Sequence, residues 1–129
     1  MTRKKPAPLM VVVVRGSRCW KDQEVIRRRL SELRAGSAVI VGDAPGADAI
    51  ARKVASEIGL EVLPLDATPA ELAEELIDWL LDLTTSPEER LVLAFHENLA
   101  VSTNTARFLS IARDRGVAVG VIASGEERR

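Results

Sequence analysis

The chain has 129 residues, 47% of them apolar, and its 18 basic and 19 acidic side chains leave a formal net charge of −1. That apolar content is enough for one buried core, and the balance of charge provides no broad positive field, which argues against nucleic acid as a partner. The longest apolar run, 9–14, is too short to cross a bilayer and the single cysteine, Cys19, cannot form an internal disulfide, so we expect a cytoplasmic protein without a membrane partner.

The spacing of apolar residues predicts strands and helices in alternation. Residues 9–14 are continuously apolar and rich in β-branched side chains, which is typical of a strand covered on both faces. Ile26, Leu30 and Leu33 then recur at helical spacing, and similar patterns follow along the chain. The predicted strands are 9–14, 38–41, 60–65, 91–95 and 117–122. The predicted helices are 22–33, 47–58, 69–83 and 102–115.

This alternation predicts a single α/β domain over residues 9–123, with residues 1–8 and 124–129 as flexible termini. We expect a Rossmann-like three-layer fold, in which helices cover both faces of a mainly parallel five-stranded sheet with strand order 3-2-1-4-5. In sheets of this kind a ligand binds beyond the carboxyl ends of the strands, where the strand order reverses. The turns that follow the first, second and fourth strands are therefore the candidate site.

These three turns, at 15–18, 42–48 and 96–105, are rich in glycine and in small or hydroxyl side chains. A glycine after a strand can take a positive φ or let a ligand approach the main chain, and the exposed amides of the following helix attract an anion. The same residues also serve any tight connection between a strand and a helix. Neither GxGxxG nor GxxxxGK[ST] occurs, so the chain has no standard dinucleotide fingerprint and no P-loop.

Three segments together resemble a known family. They are Val14 to Trp20, Val39 to Ala51, and Leu91 to Phe95 with Ser102 to Thr105. In this order they are similar to the DprA-like, YspA/YpsA-related branch of the SLOG superfamily. The resemblance implies a Rossmann-like fold and binding of a nucleotide or a nucleotide-derived ligand such as ADP-ribose, and the relatives of this branch include phosphoribohydrolases.

The resemblance also implies which residues line the ligand site. By motif position these are Gly16, Ser17, Arg18, Gly42, Asp43, Ala44, Gly46, Ala47, Asp48, Ser102, Thr103 and Thr105. The chain departs from the family pattern at Asp43, where a small neutral residue is usual, and at Ser102, which replaces the glycine of a Gly-Thr turn. The phosphoribohydrolase signature PGGxGTxxE is absent.

Several side chains have both a functional and a structural interpretation. Asp48 could accept hydrogen bonds from ribose or complement the positive end of a helix. Trp20 could stack on a base or pack against the first helix. His96, the sole histidine, directly follows a strand, although a single loop histidine is usually incidental. No side chains have the spacing of metal ligands, so we predict neither a metal nor a cofactor.

Three functions remain open at this stage. The first is binding of a nucleotide-derived ligand at the carboxyl edge of the sheet. The second is hydrolysis of an N-glycosidic bond, for which Asp43, Asp48 and Glu97 are the candidate catalytic residues. The third is a protein-interaction module with a degenerate pocket. The apolar stripe of the predicted helix 69–83 is wider than one sheet face requires, so we expect this helix to form a homo-oligomer contact.

Overall fold

The structure is a computed structural model that describes residues 10–17, 20–42, 45–64, 73–84, 86, 89–96 and 103–122. Within these residues, strands and helices alternate along the chain as predicted. The strands are β1 (Val11–Gly16), β2 (Ala38–Val41), β3 (Glu61–Pro64), β4 (Arg90–Phe95) and β5 (Ala118–Ile122). The helices are α1 (Gln23–Ser31), α2 (Ala47–Glu57), α3 (Ala73–Leu83) and α4 (Thr103–Asp114).

The five strands form one parallel sheet in the order β3-β2-β1-β4-β5, which confirms the predicted order. β1 lies at its centre, with Val12 opposite Val39 of β2 on one side and opposite Leu91 of β4 on the other. The chain proceeds from β1 outward to β3 and then returns to continue from β4 to β5. The strand order therefore reverses between β1 and β4, and their last pair is Gly16 with Phe95.

The helices cover both faces of the sheet, which confirms the Rossmann-like three-layer architecture. Val12 and Val14 point to the face covered by α1 and α2, whereas Val11 and Val13 point to the face covered by α3 and α4. All four valines are almost completely buried. Because β1 is covered on both sides, its sequence is continuously apolar rather than alternating.

Helix α1 ends two residues earlier than the sequence predicts. Its N-cap is Asp22, whose carboxylate accepts a hydrogen bond from the Val25 amide at 3.3 Å. The helix ends at Ser31, not at Leu33, and the Leu33 amide donates to the Leu30 carbonyl oxygen, as in a 3₁₀ turn. Leu33 still packs against the core from this turn, so the apolar spacing continues beyond the helix.

Helix α3 presents the broad apolar surface that its sequence indicates. Leu76, Ile77 and Leu80 are buried against the sheet, and Trp79 packs beside them while partly exposed. Leu83 is 43% exposed. The predicted start of this helix at residue 69 lies outside the described residues, and the homo-oligomer contact stays a prediction. None of the described helices is both long and apolar enough to cross a membrane.

Candidate functional site

The turn after β1 forms main-chain hydrogen bonds with the end of β4 and with the start of α2, at the point where the strand order reverses. The Ser17 amide donates to the Phe95 carbonyl oxygen at the end of β4, at 2.9 Å. The Ser17 carbonyl oxygen accepts from the Ala47 amide at the start of α2, at 3.0 Å. The predicted site residues Ser17 and Ala47 therefore lie together, at the carboxyl edge of β1 and β4.

Gly16 is required by the packing of these segments. It does not have a positive φ, so backbone conformation does not demand glycine there. A β-carbon at this position would lie 2.6 Å from the Phe95 carbonyl oxygen and closer still to the Ala47 β-carbon. The space left by the missing side chain is therefore filled by β4 and α2. The sequence left two explanations open for this glycine, room for a ligand and a tight connection between a strand and a helix, and these contacts support the tight connection.

In the second turn, Gly46 and Gly42 have different roles. Gly46, the N-cap of α2, has φ 78° and ψ −129°, a conformation available almost only to glycine. The Gly42 carbonyl oxygen accepts a hydrogen bond from the Arg52 guanidinium at 2.9 Å, which fixes the end of β2 to α2. A β-carbon on Gly42 would lie 2.9 Å from the Asp48 carboxylate. Asp48 therefore reaches back from the first turn of α2 over the main chain that precedes it.

Arg15 lies at this edge and within the turn 15–18 that the sequence indicated, but it was not among the predicted ligand-site residues. It is half-buried near the end of β1, and its guanidinium lies 5.0 Å from the centre of the Phe108 ring in α4. Burial lowers the pKa of the guanidinium, and the nearby Asp48 carboxylate raises it. In the sequence, the signal was a single charged residue directly after four valines. That pattern indicates only that a buried strand ends there.

The structure describes only part of the predicted ligand site. Arg18, Asp43, Ala44, Glu97 and Ser102 lie outside the described residues, as does Cys19. Thr103 begins α4 and Thr105 follows in its first turn, at the same edge of the sheet as the other two turns. The structure does not describe the side chains of these two threonines.

Trp20 and His96 take part in the fold beside this edge. Trp20 is buried, its ring meets Phe95 edge to face at 5.7 Å, and its indole N–H donates to the Asp22 carbonyl oxygen. Of the two interpretations of Trp20, the structure supports packing. The His96 amide donates to the Ile122 carbonyl oxygen at 3.0 Å, which ties the third turn to β5.

Residues 10–70 match the model of the YspA, cpYpsA-related SLOG family. The family resemblance is confirmed over this segment. It spans 61 of the 129 residues, from before β1 to beyond β3, and so includes the first and second turns but not the third. Similarity to this family suggests a nucleotide-related function in broad terms. Neither a curated protein nor a solved structure matches the chain.

The matched segment, residues 10–70, contributes two charged side chains and a helix terminus to the carboxyl edge of the sheet. It places the cation of Arg15, the carboxylate of Asp48 and the amino-terminal end of α2 around the end of β1. A helix amino terminus and a guanidinium both favour an anion, whereas the carboxylate favours hydroxyl donors. Within the described part of the chain, no group of three or more His, Cys, Asp or Glu side chains is arranged to hold a metal ion.

Proposed function

We propose that this protein binds a nucleotide or a nucleotide-derived ligand, of the ADP-ribose type, at the carboxyl edge of the sheet between β1 and β4. The family match supports the chemical class of ligand, because it suggests a nucleotide-related function. The sheet topology supports the location, since the strand order reverses between these two strands and ligands of open α/β sheets bind at such a reversal.

The observation that carries this proposal is the contact of the first turn with both β4 and α2. Ser17 bonds to Phe95 and to Ala47 through its main chain, so the first turn, the end of β4 and the start of α2 are joined at one edge of the sheet. Because the Ser17 and Ala47 amides donate within the protein, in this proposal phosphate groups bind to other main-chain amides and to hydroxyl side chains of the turns. Asp48, in the first turn of α2, accepts hydrogen bonds from hydroxyl groups of the ribose in this proposal.

Isothermal titration calorimetry with adenosine, AMP, ADP and ADP-ribose tests the proposal. We expect binding of the phosphorylated compounds and a much weaker response to adenosine, because the helix termini and amides interact with charge. The absence of a measurable heat for every compound at millimolar concentration would reject the proposed ligand class.

A pair of substitutions on α2 tests the location. Ala49 and Ser56 are both exposed and lie two helical turns apart, so they share one side of the helix but stand near opposite edges of the sheet. An Ala49→Trp substitution places an indole beside the carboxyl edge, and we expect it to weaken binding at least about tenfold, which corresponds to about 1.4 kcal/mol. Ser56→Trp is the matched control and should bind like the unmodified protein. Equal affinity of both variants would place the ligand elsewhere.

Hydrolysis of an N-glycosidic bond is not proposed. Of its three candidate catalytic carboxylates, Asp48 is the one within the described residues, and it lies beside Gly42 and Arg15. No observation favours this reaction over simple binding.

A further inference from the structure

The Arg15 side chain has an unusual place for an arginine. It belongs to the central strand of the sheet, in register with Ala94 of β4, one residue before the last pair of the β1–β4 ladder. Its guanidinium packs over Phe108, which is 1% exposed and lies in the second turn of α4. The cation is therefore fixed between the reversal of strand order and the amino-terminal half of α4.

Within the described part of the chain, no salt bridge neutralises the Arg15 guanidinium. The pairs seen there include Arg27 with Glu57, Arg29 with Glu32, and Arg115 with Asp78. Burial has the larger effect on the pKa of Arg15 and lowers it, whereas the electrostatic interaction with Asp48 raises it. Because arginine keeps its proton at neutral pH, the site carries a partly desolvated positive charge.

The contact with Phe108 places the guanidinium carbon of Arg15 5.0 Å from the ring centre. An aromatic ring carries no oxygen, so this contact provides no conventional hydrogen-bond acceptor for the five N–H donors of the guanidinium. Two of these donors can bind two oxygens of one phosphate or carboxylate group at the same time. The ring therefore holds the cation in place without accepting a conventional hydrogen bond from it.

We propose that Arg15 is an anion-binding residue of the site, which recognises a phosphate or pyrophosphate group of the ligand with its N–H donors while Phe108 packs against the guanidinium. This inference deepens the proposed function and rests on it for the identity of the ligand. The competing explanation is that Arg15 only packs α4 against the sheet. The two explanations predict different effects of removing the charge.

The experiment compares Arg15→Met, Arg15→Lys and a control, Arg107→Met, which removes an equal charge from an exposed position next to Phe108. Binding of inorganic pyrophosphate and of ADP-ribose is measured by calorimetry, and the melting temperature is measured without ligand. We expect Arg15→Met to weaken binding of both compounds on the order of 10- to 100-fold, as for loss of hydrogen bonds to a charged group. Arg107→Met should bind within about threefold of the unmodified protein, since an exposed charge contributes little.

The melting temperature without ligand separates the two explanations. If Arg15 serves the ligand, its removal relieves a partly desolvated charge, and Arg15→Met should melt at or above the temperature of the unmodified protein. A lower melting temperature together with unchanged binding would show a packing role and overturn the inference. If Arg15→Met folds poorly, Arg15→Lys decides, because lysine keeps the charge but not the planar pair of donors. Binding by Arg15→Lys as tight as that of the unmodified protein would overturn the inference, and weaker binding would support it.

The two compounds also separate this inference from the proposed function. If ADP-ribose binds and Arg15→Met binds it equally well, the inference fails and the proposed function stands. If no nucleotide binds but pyrophosphate binds to the unmodified protein and not to Arg15→Met, the inference stands and the nucleotide assignment fails. A protein that responds to neither compound contradicts both.

Discussion

Adding one methyl group at Gly16 tests whether the tight junction of β1, β4 and α2 is built by packing. In a Gly16→Ala variant the new β-carbon would lie 2.6 Å from the Phe95 carbonyl oxygen and even closer to the Ala47 β-carbon. Ordinary contacts between such atoms are about 3.5 Å or longer. Either α2 or the end of β4 must therefore move by roughly 1 Å before the variant can fold.

The expected cost follows from these contacts. Overpacking of a well-filled site costs about 1–3 kcal/mol. The displacement also weakens the two hydrogen bonds of Ser17, to Phe95 and to Ala47, each worth about 0.5–1.5 kcal/mol. Because Gly16 does not have a positive φ, alanine can adopt its backbone conformation. The substitution also lowers the conformational entropy of the unfolded chain, which offsets the loss of stability by about 0.4–1 kcal/mol. We therefore expect a net loss of about 2–4 kcal/mol, out of the 5–15 kcal/mol typical of a domain.

Urea unfolding followed by far-UV circular dichroism measures this loss. Gly42→Ala is the matched control, because its β-carbon would meet only the Asp48 carboxylate, at 2.9 Å, and the end of a side chain can rotate away. We expect this control to lose about 1 kcal/mol or less. A Gly16→Ala variant within about 0.5 kcal/mol of the unmodified protein would refute the packing explanation and return Gly16 to a role in ligand access.

Two further substitutions test contacts away from the candidate site. The buried Thr84 hydroxyl donates to the Leu80 carbonyl oxygen and accepts from Arg90, both at 2.8 Å, so Thr84→Val should cost about 1–3 kcal/mol in urea unfolding while Thr84→Ser costs much less. A hydrogen bond from Arg27 holds the pKa of Glu57 below its ordinary value of 4.5, so this pair stabilises the fold above that pH and ceases to do so as the pH falls through the lowered pKa. The urea midpoint of Glu57→Gln should accordingly lie below that of the unmodified protein at pH 7. The two midpoints should converge in acid, and a difference that persists there would contradict the assignment.

The fold was predictable because its elements are encoded locally. A continuous valine run, helical spacing of apolar residues and turn residues between them determine the element order, and parallel crossovers then restrict the strand order to few choices. The end of α1 was predicted too late, because Leu33 contributes to the core from outside the helix. Apolar spacing indicates which residues are buried and does not by itself show where the helical hydrogen bonds stop.

The candidate site was predictable at the level of turns rather than of side chains. Family motifs and strand ends indicated the neighbourhood of Ser17 and Ala47, which share a hydrogen bond. The reason for Gly16 was not predictable, because it depends on contacts with segments about 30 and 80 residues away along the chain. Arg15 was missed for a related reason, since its significance comes from Phe108 and Asp48, which are brought to it only by the fold.

An NMR titration of the labelled protein with ADP-ribose tests the central claim most directly, because it reports the site residue by residue. The account predicts that the largest amide shifts occur at the carboxyl edge of the sheet, at Ser17, Ala47 and Asp48, with little change at the opposite edge, at Ser37 and Val117. Shifts concentrated at Ser37 and Val117 or on helix α3, or no shifts at saturating ligand, would contradict it.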